Sequence, residues 1–358
     1  MAYTTINKST DYFNTVLYTS NNGSSPRTIS GVGFQPDFVW VKNRDSASYN
    51  HVLNDSVRGL NKILSSDTNG AELAANHAGG YISSANNDGF VITAGSSNLS
   101  NYDTGTNKQV VWNWKANGQG SSNTDGSINT TYTSANTTAG FSIISYTGAG
   151  GTSNTLGHGL GVKPKMFIVK CRSHAGEYWG TWIDTDGDGT SNYRLSLNVT
   201  DAAYGNNPIT FSNSTITLPS SANTQWDGSG RTYVGYCFAE KKGYSKFGSY
   251  TGNGNADGPF IYTGFKPAFI LSKKTNAAGT QWTIWDNKRS SSGFNPANKI
   301  LHPNVSNPDN TADDTDFLSN GFKLRATASG MNNSGDTYIY MAIGQSLVGS
   351  NDVPCTAR

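Results

Sequence analysis

One pattern of residues occurs three times along the chain, and this repetition constrains the fold more than any other feature of the sequence. Each occurrence opens with a tyrosine in an alternating apolar and polar stretch: Tyr18, Tyr146 and Tyr250. A proline follows these tyrosines after 18, 18 and 17 residues: Pro36, Pro164 and Pro267. A lysine stands six residues after each proline: Lys42, Lys170 and Lys273. Landmarks that keep their spacing in this way predict copies of one structural unit.

The spacing divides the chain into three predicted domains of about 100 residues: segment 1 (14–117), segment 2 (140–243) and segment 3 (244–350). Outside them we expect an N-terminal docking arm (1–13), a Ser/Thr/Asn/Gly-rich linker (118–139) and a C-terminal tail (351–358). Segments 2 and 3 follow each other almost without a spacer, so we expect a fixed orientation for these two and a more freely placed segment 1.

Each segment is predicted to be a series of short strands. The block after the proline is apolar at nearly every position ("DFVWVK", "KMFIVK", "AFILSK"), as in a central strand that is covered on both faces. Aromatic residues with frequent Gly and Asn turns favour strands over helices. We therefore predict an all-β fold in which each segment is an antiparallel β-sandwich of the jelly-roll or lectin-like kind.

Composition excludes several classes of function. Charged residues make up 14% of the chain and the net charge is +2, which does not favour a nucleic-acid partner. The sequence contains no apolar run long enough for membrane insertion, and its first residues lack the pattern of a secretion signal. We therefore expect a protein that is synthesised in a host cytoplasm.

The sequence offers little for catalysis. The histidines are scattered and none lies in a metal or nucleophile motif: His51, His77, His158, His174 and His302. No pair of acidic residues recurs at a spacing that would suggest a glycosidase. We therefore expect a protein that is not an enzyme.

The repeated lysine is accompanied by an aspartate in every segment: Lys42 with Asp55, Lys170 with Asp184, and Lys273 with Asp286. Because the pair recurs, it is expected to belong to the scaffold, as a charge pair or a turn cap between adjacent strands. A specific site is expected where the segments differ.

Segment 2 differs most in the loop "DTDGDGTSNYRL" (184–195). Its aspartates Asp184, Asp186 and Asp188 match the first half of a calcium loop, which makes residues 184–190 a candidate Ca²⁺ site. Leu195 stands where such a loop needs a glutamate, so an Asx-rich turn is the alternative. Aromatic residues beside polar ones suggest a surface that stacks on sugar rings: Tyr178, Trp179, Tyr193 and Trp226.

Several stretches resemble a family of virion proteins from marine tailed bacteriophages of the cyanophage and pelagiphage type. The resemblance rests on "YTGNG", "GF-x-P" and "FAEKKGYSKFGSYTGNG", and it covers nearly the whole chain. It implies a non-enzymatic structural protein with lectin-like β-sandwich domains on the virion exterior. It implies no catalytic residues.

Within that resemblance, the aromatic loops favour a tail fibre or tail-tip protein that attaches to the host and binds a surface glycan or receptor. A capsid decoration or head-fibre protein is the first alternative, and an envelope polysaccharide depolymerase is the second. The expected partners are other virion proteins, and the expected assembly is a homo-oligomer such as a trimer.

Overall fold

The structure of the protein is a computed structural model that describes residues 4–205, 207–221, 223–290 and 295–346. Within these ranges the chain is almost all β, with antiparallel pairing between the strands of every sheet. The predicted all-β, antiparallel class is therefore confirmed. No helix within these ranges is long and apolar enough to cross a membrane.

Segment 1 forms a four-stranded and a three-stranded sheet, with orders β1-β7-β3-β4 and β2-β6-β5. The strands are β1 (Phe13–Thr19), β2 (Arg27–Ile29), β3 (Phe38–Asn43), β4 (Val52–Asp55), β5 (Tyr81–Asn86), β6 (Gly89–Thr93) and β7 (Lys108–Trp114). Strand β3 follows the repeated proline and pairs with both β4 and β7.

Segment 2 forms a six-stranded and a three-stranded sheet, with orders β13-β12-β11-β16-β9-β8 and β10-β15-β14. The elements are β8 (Tyr132–Asn136), β9 (Phe141–Thr147), β10 (Thr155–Gly157), β11 (Met166–Cys171), β12 (Gly180–Ile183), β13 (Tyr193–Ser196), β14 (Thr210–Phe211), β15 (Thr215–Thr217), α1 (Thr224–Asp227) and β16 (Thr232–Phe238). The side chain of Asn223 caps α1 by accepting from the Gln225 amide.

Segment 3 forms two four-stranded sheets, with orders β17-β24-β19-β20 and β18-β23-β22-β21. The strands are β17 (Ser245–Thr251), β18 (Phe260–Tyr262), β19 (Pro267–Lys274), β20 (Thr283–Asp286), β21 (Ala297–Ile300), β22 (Asn310–Leu318), β23 (Gly321–Leu324) and β24 (Thr337–Gly344).

The same strand order recurs in one sheet of each segment, which we call the inner sheet; the other sheet of the segment is the outer sheet. The opening strand of the segment pairs with the last strand. The last strand also pairs with the strand that follows the repeated proline. That strand pairs in turn with the strand that contains or directly precedes the repeated aspartate. These orders are β1-β7-β3-β4, β9-β16-β11-β12 and β17-β24-β19-β20. The spacing of the landmarks in the sequence therefore corresponds to one repeated arrangement of strands.

The three inner sheets share one central core. Their inward faces contribute to a single apolar cluster, in which the residue two positions before each repeated lysine is Trp40, Ile168 or Leu271. Their outward faces pack on three further apolar clusters, one in each segment, which we call the outer cores. Because both faces are covered, β3, β11 and β19 are buried along their whole length. The prediction of central strands covered on both faces is confirmed.

Aromatic rings fill the central core across the boundaries between segments. The ring centroid of Phe38 lies 4.5 Å from that of Tyr236 in segment 2. Phe13 lies 5.5 Å from Phe269 in segment 3. A cavity of about 20 Å³ remains between the three segments, which is room for about one water molecule. Segment 1 is therefore packed against both other segments, in contrast to the freer placement that its linker suggested.

Three equivalent hydrogen bonds join the segments into a ring. The Nε1 atoms of Trp179 and Trp282 donate to the carbonyl oxygens of Ser65 and Ser196, each at 3.0 Å. At the same position of segment 1, His51 Nε2 lies 3.0 Å from the carbonyl oxygen of His302. Each bond crosses from one segment to the next, so the three segments close on one another in a cycle.

The predicted linker and arm also belong to this packed structure. Within residues 118–139, β8 pairs with β9 and extends the larger sheet of segment 2, while Ile128 is buried in the outer core of that segment. In the arm, Ile6 is buried in the central core and Thr10 Oγ1 lies 3.2 Å from Ser346 Oγ. The predicted tail, 351–358, lies outside the described residues.

Candidate functional site

The repeated lysines are buried at the boundaries between segments. Lys42 Nζ donates to three carbonyl oxygens, including that of Ser306 in segment 3 at 2.8 Å. Lys170 Nζ likewise donates to the carbonyl oxygen of Asn69 in segment 1 at 3.4 Å. All three lysines, including Lys273, are fully buried, and this desolvation lowers each pKa to about 8. The predicted pairing of each lysine with its aspartate is therefore not what the structure shows.

These lysines predict an unusual dependence of stability on pH. Between about pH 8 and the ordinary lysine pKa of 10.5, the unfolded chain keeps protons that the folded chain has lost, so the free energy of unfolding rises with pH. Above pH 10 the buried tyrosines reverse this, because burial raises the pKa of groups such as Tyr102 and Tyr146 above their ordinary 10.0. We expect urea midpoints to rise from pH 8 to about pH 10 and then fall. A steady decline from pH 7 onward would contradict this prediction, and Lys42→Met should flatten part of the rise.

The repeated aspartates of segments 1 and 3 pair with arginines instead of lysines. Asp55 Oδ2 accepts from Arg58 Nε at 2.5 Å, and the same oxygen accepts from the Tyr236 hydroxyl of segment 2 at 2.7 Å. Asp286 Oδ2 accepts from Arg289 Nε at 2.6 Å and from Trp112 Nε1 of segment 1 at 2.9 Å. Each carboxylate also accepts from the backbone N–H of its arginine, which is a turn cap. Both aspartates therefore hold a turn and an interface together.

Segment 2 departs from this arrangement by one residue. Strand register places Asp55 opposite Phe38 and Asp286 opposite Phe269, four residues before the repeated lysine. The residue at that place in segment 2 is Ile183, which lies opposite Met166. Asp184 comes one position later and is not the structural equivalent of the other two aspartates. A buried ion pair is thus replaced in segment 2 by an apolar residue of the central core.

The candidate calcium loop brings its three carboxylates close together but satisfies them internally. Ligand atoms of Asp184, Asp186 and Asp188 all lie within 4.8 Å of one another. Asp184 accepts from Lys165 Nζ at 3.0 Å and from the amides of Gly187 and Gly189. A Ca²⁺ ion would have to displace that ammonium group, so this donor set fits the Asx-rich turn better than a calcium site.

Two of the four aromatic residues predicted to contact sugar are inside the protein. Trp179 and Trp226 are both 0% exposed, so the expectation that they present rings to a ligand is wrong. Trp179 belongs to the central core, and Trp226 packs edge-on against Trp182 at 5.4 Å in the outer core of segment 2. Tyr193 is half-buried against the central core, while Tyr178 is 42% exposed.

The most exposed aromatic residues of the described chain are instead Phe260 and Tyr262, at 45% and 60%. They flank the inward-facing Ile261 on β18, so both rings project from the same face of the strand. Strand β18 is an edge strand of the outer sheet of segment 3. The Phe260 ring rests on Gly321, where a Cβ would lie 2.8 Å from two ring atoms. The two rings therefore form an exposed aromatic surface, which we call the β18 face.

Charged side chains border the β18 face as ion pairs. Lys323, the partner of Phe260 in the neighbouring strand, lies 2.8 Å from Asp257. Arg325 lies 3.4 Å from Asp316. These groups offer hydrogen-bond donors and acceptors beside the rings, which is the combination that sugar hydroxyls and ring C–H groups require.

The β18 face is specific to segment 3. The buried residues that pair at the corresponding place are Ile29 with Phe90, Leu156 with Ile216, and Ile261 with Phe322. The residues that flank them in segments 1 and 2 are small or carry a hydroxyl: Thr28, Ser30, Thr155 and Gly157. Phe260 and Tyr262 were not among the site residues predicted from the sequence. Their signal was the aromatic, aliphatic, aromatic alternation of "PFIYTG", which stands where the other segments have none.

Three histidines form hydrogen bonds inside the protein: His51 and His158 are buried, and His302 is half-buried. His51 Nδ1 accepts from Trp40 Nε1 at 2.9 Å, and His302 Nδ1 lies 2.7 Å from the carbonyl oxygen of Trp282. His158 Nε2 lies 3.2 Å from the carbonyl oxygen of Ser212. Burial lowers the pKa of all three rings, so they are neutral at pH 7.

Comparison with protein families gives a match that covers nearly the whole chain. A family model described as a domain of unknown function, DUF7483, matches residues 8–346. The match includes all three segments and the end of the N-terminal arm. A search of curated proteins gave no match.

Proposed function

The chain belongs to the DUF7483 family, and we propose that it is a non-catalytic structural protein of a bacteriophage exterior that binds host-surface glycan. The observation that carries the proposal is the β18 face, where Phe260 and Tyr262 are exposed although most other large aromatic side chains are buried. The resemblance to marine phage virion proteins supports the assignment of the protein to a bacteriophage particle.

We propose that the chain consists of three tandem β-sandwich repeats closed around one core. The common strand order supports three units of one design. The shared core and the hydrogen bonds between segments support a rigid body. Such a scaffold suits a particle that persists outside the cell, and it allows the surface of one segment to change while the core stays the same.

Sugar is the ligand class that the β18 face fits best. Two rings on one face of a strand present flat apolar surface to the C–H groups of a sugar ring, and the neighbouring ion pairs supply hydrogen bonds to its hydroxyls. Because Lys323 and Arg325 are paired with carboxylates, the face offers no free charge from these two groups. A neutral glycan is therefore the expected ligand.

Replacing both rings by alanine is expected to remove this binding. On an array of bacterial surface polysaccharides, the Phe260→Ala/Tyr262→Ala variant should bind about tenfold or more weakly, because two stacking contacts are lost. The variant should keep the melting temperature of the wild type, since both side chains are exposed. Tyr178→Ala is the matched control, because Tyr178 is also exposed but lies outside the β18 face. Equal binding by the double variant, or release of shortened glycan by the wild type, would overturn the proposal.

The position on the particle is a separate question. Gold-labelled antibody viewed on intact virions should mark the tail or its fibres if the protein serves attachment. Label spread over the head would favour the decoration protein, and absence of label from intact particles would overturn an exterior role.

A further inference from the structure

Arg194 stands at a place where the other segments have a buried isoleucine. The strand pairs Leu53 with Leu64, Thr181 with Leu195, and Ile284 with Leu301 occupy corresponding positions. The residues that precede the second member of each pair are Ile63, Arg194 and Ile300. Both isoleucines are 1% exposed in the outer cores of their segments. Segment 2 therefore places a cation at an apolar position of the shared design.

The guanidinium group of Arg194 is held by aromatic rings and one amide. Its Cζ lies 4.7 Å from the ring centroid of Trp226 and 4.9 Å from that of Tyr204. Its Nη2 donates to Gln225 Oε1 at 3.1 Å, while its Nε is buried without an acceptor. The side chain is half-buried, and desolvation lowers its pKa. The group is thus fixed in place but incompletely satisfied.

Arg194 also differs from every other arginine in the described part of the chain by having no carboxylate partner. The others form salt bridges with acidic residues: Arg27, Arg44, Arg58, Arg172, Arg231, Arg289 and Arg325. The carboxylate of Asp201 accepts from the Tyr204 hydroxyl at 2.6 Å and is not among the ion-pair partners of Arg194 within the described residues. A half-buried cation without a counterion is costly unless an anion completes it.

We propose that Arg194 is the centre of an oxyanion-binding site, which takes the carboxylate or phosphate group of an acidic ligand. The rings of Trp226 and Tyr204 and the amide of Gln225 orient the guanidinium in advance, so binding loses little side-chain freedom. Nη2 already donates to Gln225 and Nε is buried, so the N–H groups of Nη1 are available to a ligand. A planar guanidinium group can bind either a carboxylate or a phosphate. This site is in segment 2 and does not depend on the β18 face.

The test uses the whole protein and small anions at constant ionic strength. Acetate and inorganic phosphate are titrated separately and followed by calorimetry, with acetamide as the neutral control. We expect saturable binding of at least one anion and none of acetamide. Binding of acetate alone would identify a carboxylate site, and binding of phosphate alone a phosphate site. Absence of saturable binding by either anion would overturn the proposal.

Arg194→Ile is the decisive variant, because isoleucine already occupies this position in the other two segments. It should fold as the wild type does and bind the anion about tenfold or more weakly. Arg194→Lys keeps the positive charge but loses the planar guanidinium group, so its anion affinity should lie between those of the wild type and Arg194→Ile. This variant also tests the assignment if Arg194→Ile folds poorly. Lys8→Ile removes an exposed cation of the N-terminal arm, outside both the β18 face and this site, and should leave anion affinity unchanged. Equal affinity in Arg194→Ile and wild type would overturn the assignment.

Discussion

Replacing Asp55 by asparagine is expected to lower the free energy of unfolding by about 3–5 kcal/mol. Asp55 and Arg58 both have side chains that are 0% exposed, and they form an ion pair at 2.5 Å. The same carboxylate accepts from the Tyr236 hydroxyl across the boundary with segment 2. Without its negative charge, the Arg58 guanidinium keeps only the carboxylate of Glu72 at 3.0 Å and a carbonyl oxygen. Urea denaturation at pH 7 measures the loss.

Segment 2 provides the control for this prediction. At the corresponding boundary between segments 2 and 3, the apolar residues Ile183 and Met341 take the places of Asp55 and Tyr236 in the central core. The triple variant Asp55→Ile/Arg58→Met/Tyr236→Met copies that solution and removes the ion pair as a whole. Its stability should be closer to wild type than that of the single variant, because no buried charge is left without its partner. A triple variant less stable than Asp55→Asn would contradict the argument.

Replacing Trp226 by alanine is expected to cost about 3–5 kcal/mol of stability. Trp226 is 0% exposed, and its ring contacts Trp182 and the Arg194 guanidinium. The carbonyl oxygen of Trp226 accepts from the Tyr146 hydroxyl at 2.6 Å, so rearrangement of the helix would also disturb that bond. Removal of the indole leaves a cavity in the outer core of segment 2. Thermal and urea unfolding measure the cost.

The same variant distinguishes a packing residue from a sugar-binding residue. Below its unfolding transition, Trp226→Ala should bind glycan through the β18 face as the wild type does. Tyr178→Ala, which truncates an exposed side chain, should change the free energy of unfolding by no more than about 0.5 kcal/mol. A stable Trp226→Ala protein that has lost glycan binding would restore the sugar-contact interpretation of this tryptophan.

The errors of the sequence analysis have a common physical origin. Trp179 and Trp226 stand among Gly, Ser and Asp in the sequence, which suggests a surface loop. Trp179 is buried by residues of segment 1, since its Nε1 reaches the carbonyl oxygen of Ser65. Polar neighbours in the sequence do not show that a residue is exposed, because a distant part of the chain can pack over it.

The partners of the charged residues were also not predictable from neighbouring positions in the sequence. Equal spacing suggested that Lys42 pairs with Asp55, because both recur. Asp55 instead forms an ion pair with Arg58, three residues later in the chain. Lys42 donates a hydrogen bond to the carbonyl oxygen of Ser306 in segment 3. The predicted equivalence of Asp184 was also wrong, because Asp184 lies one position after Ile183, which is the structural equivalent of Asp55. Successive residues of a strand point to opposite faces, so a difference of one position changes which face a side chain is on.

The local structure of this protein could be predicted from its amino-acid sequence. Alternating and continuous apolar runs specify short strands because side chains in a strand point to opposite faces with a period of two residues. Equal spacing of tyrosine, proline and lysine specifies three segments with the same strand order. Tertiary contacts, in contrast, set which faces meet around the central core, which arginine of the described residues has no acidic partner, and which aromatic rings are exposed to solvent. These properties depend on contacts between residues far apart in the chain, and no local pattern records such contacts.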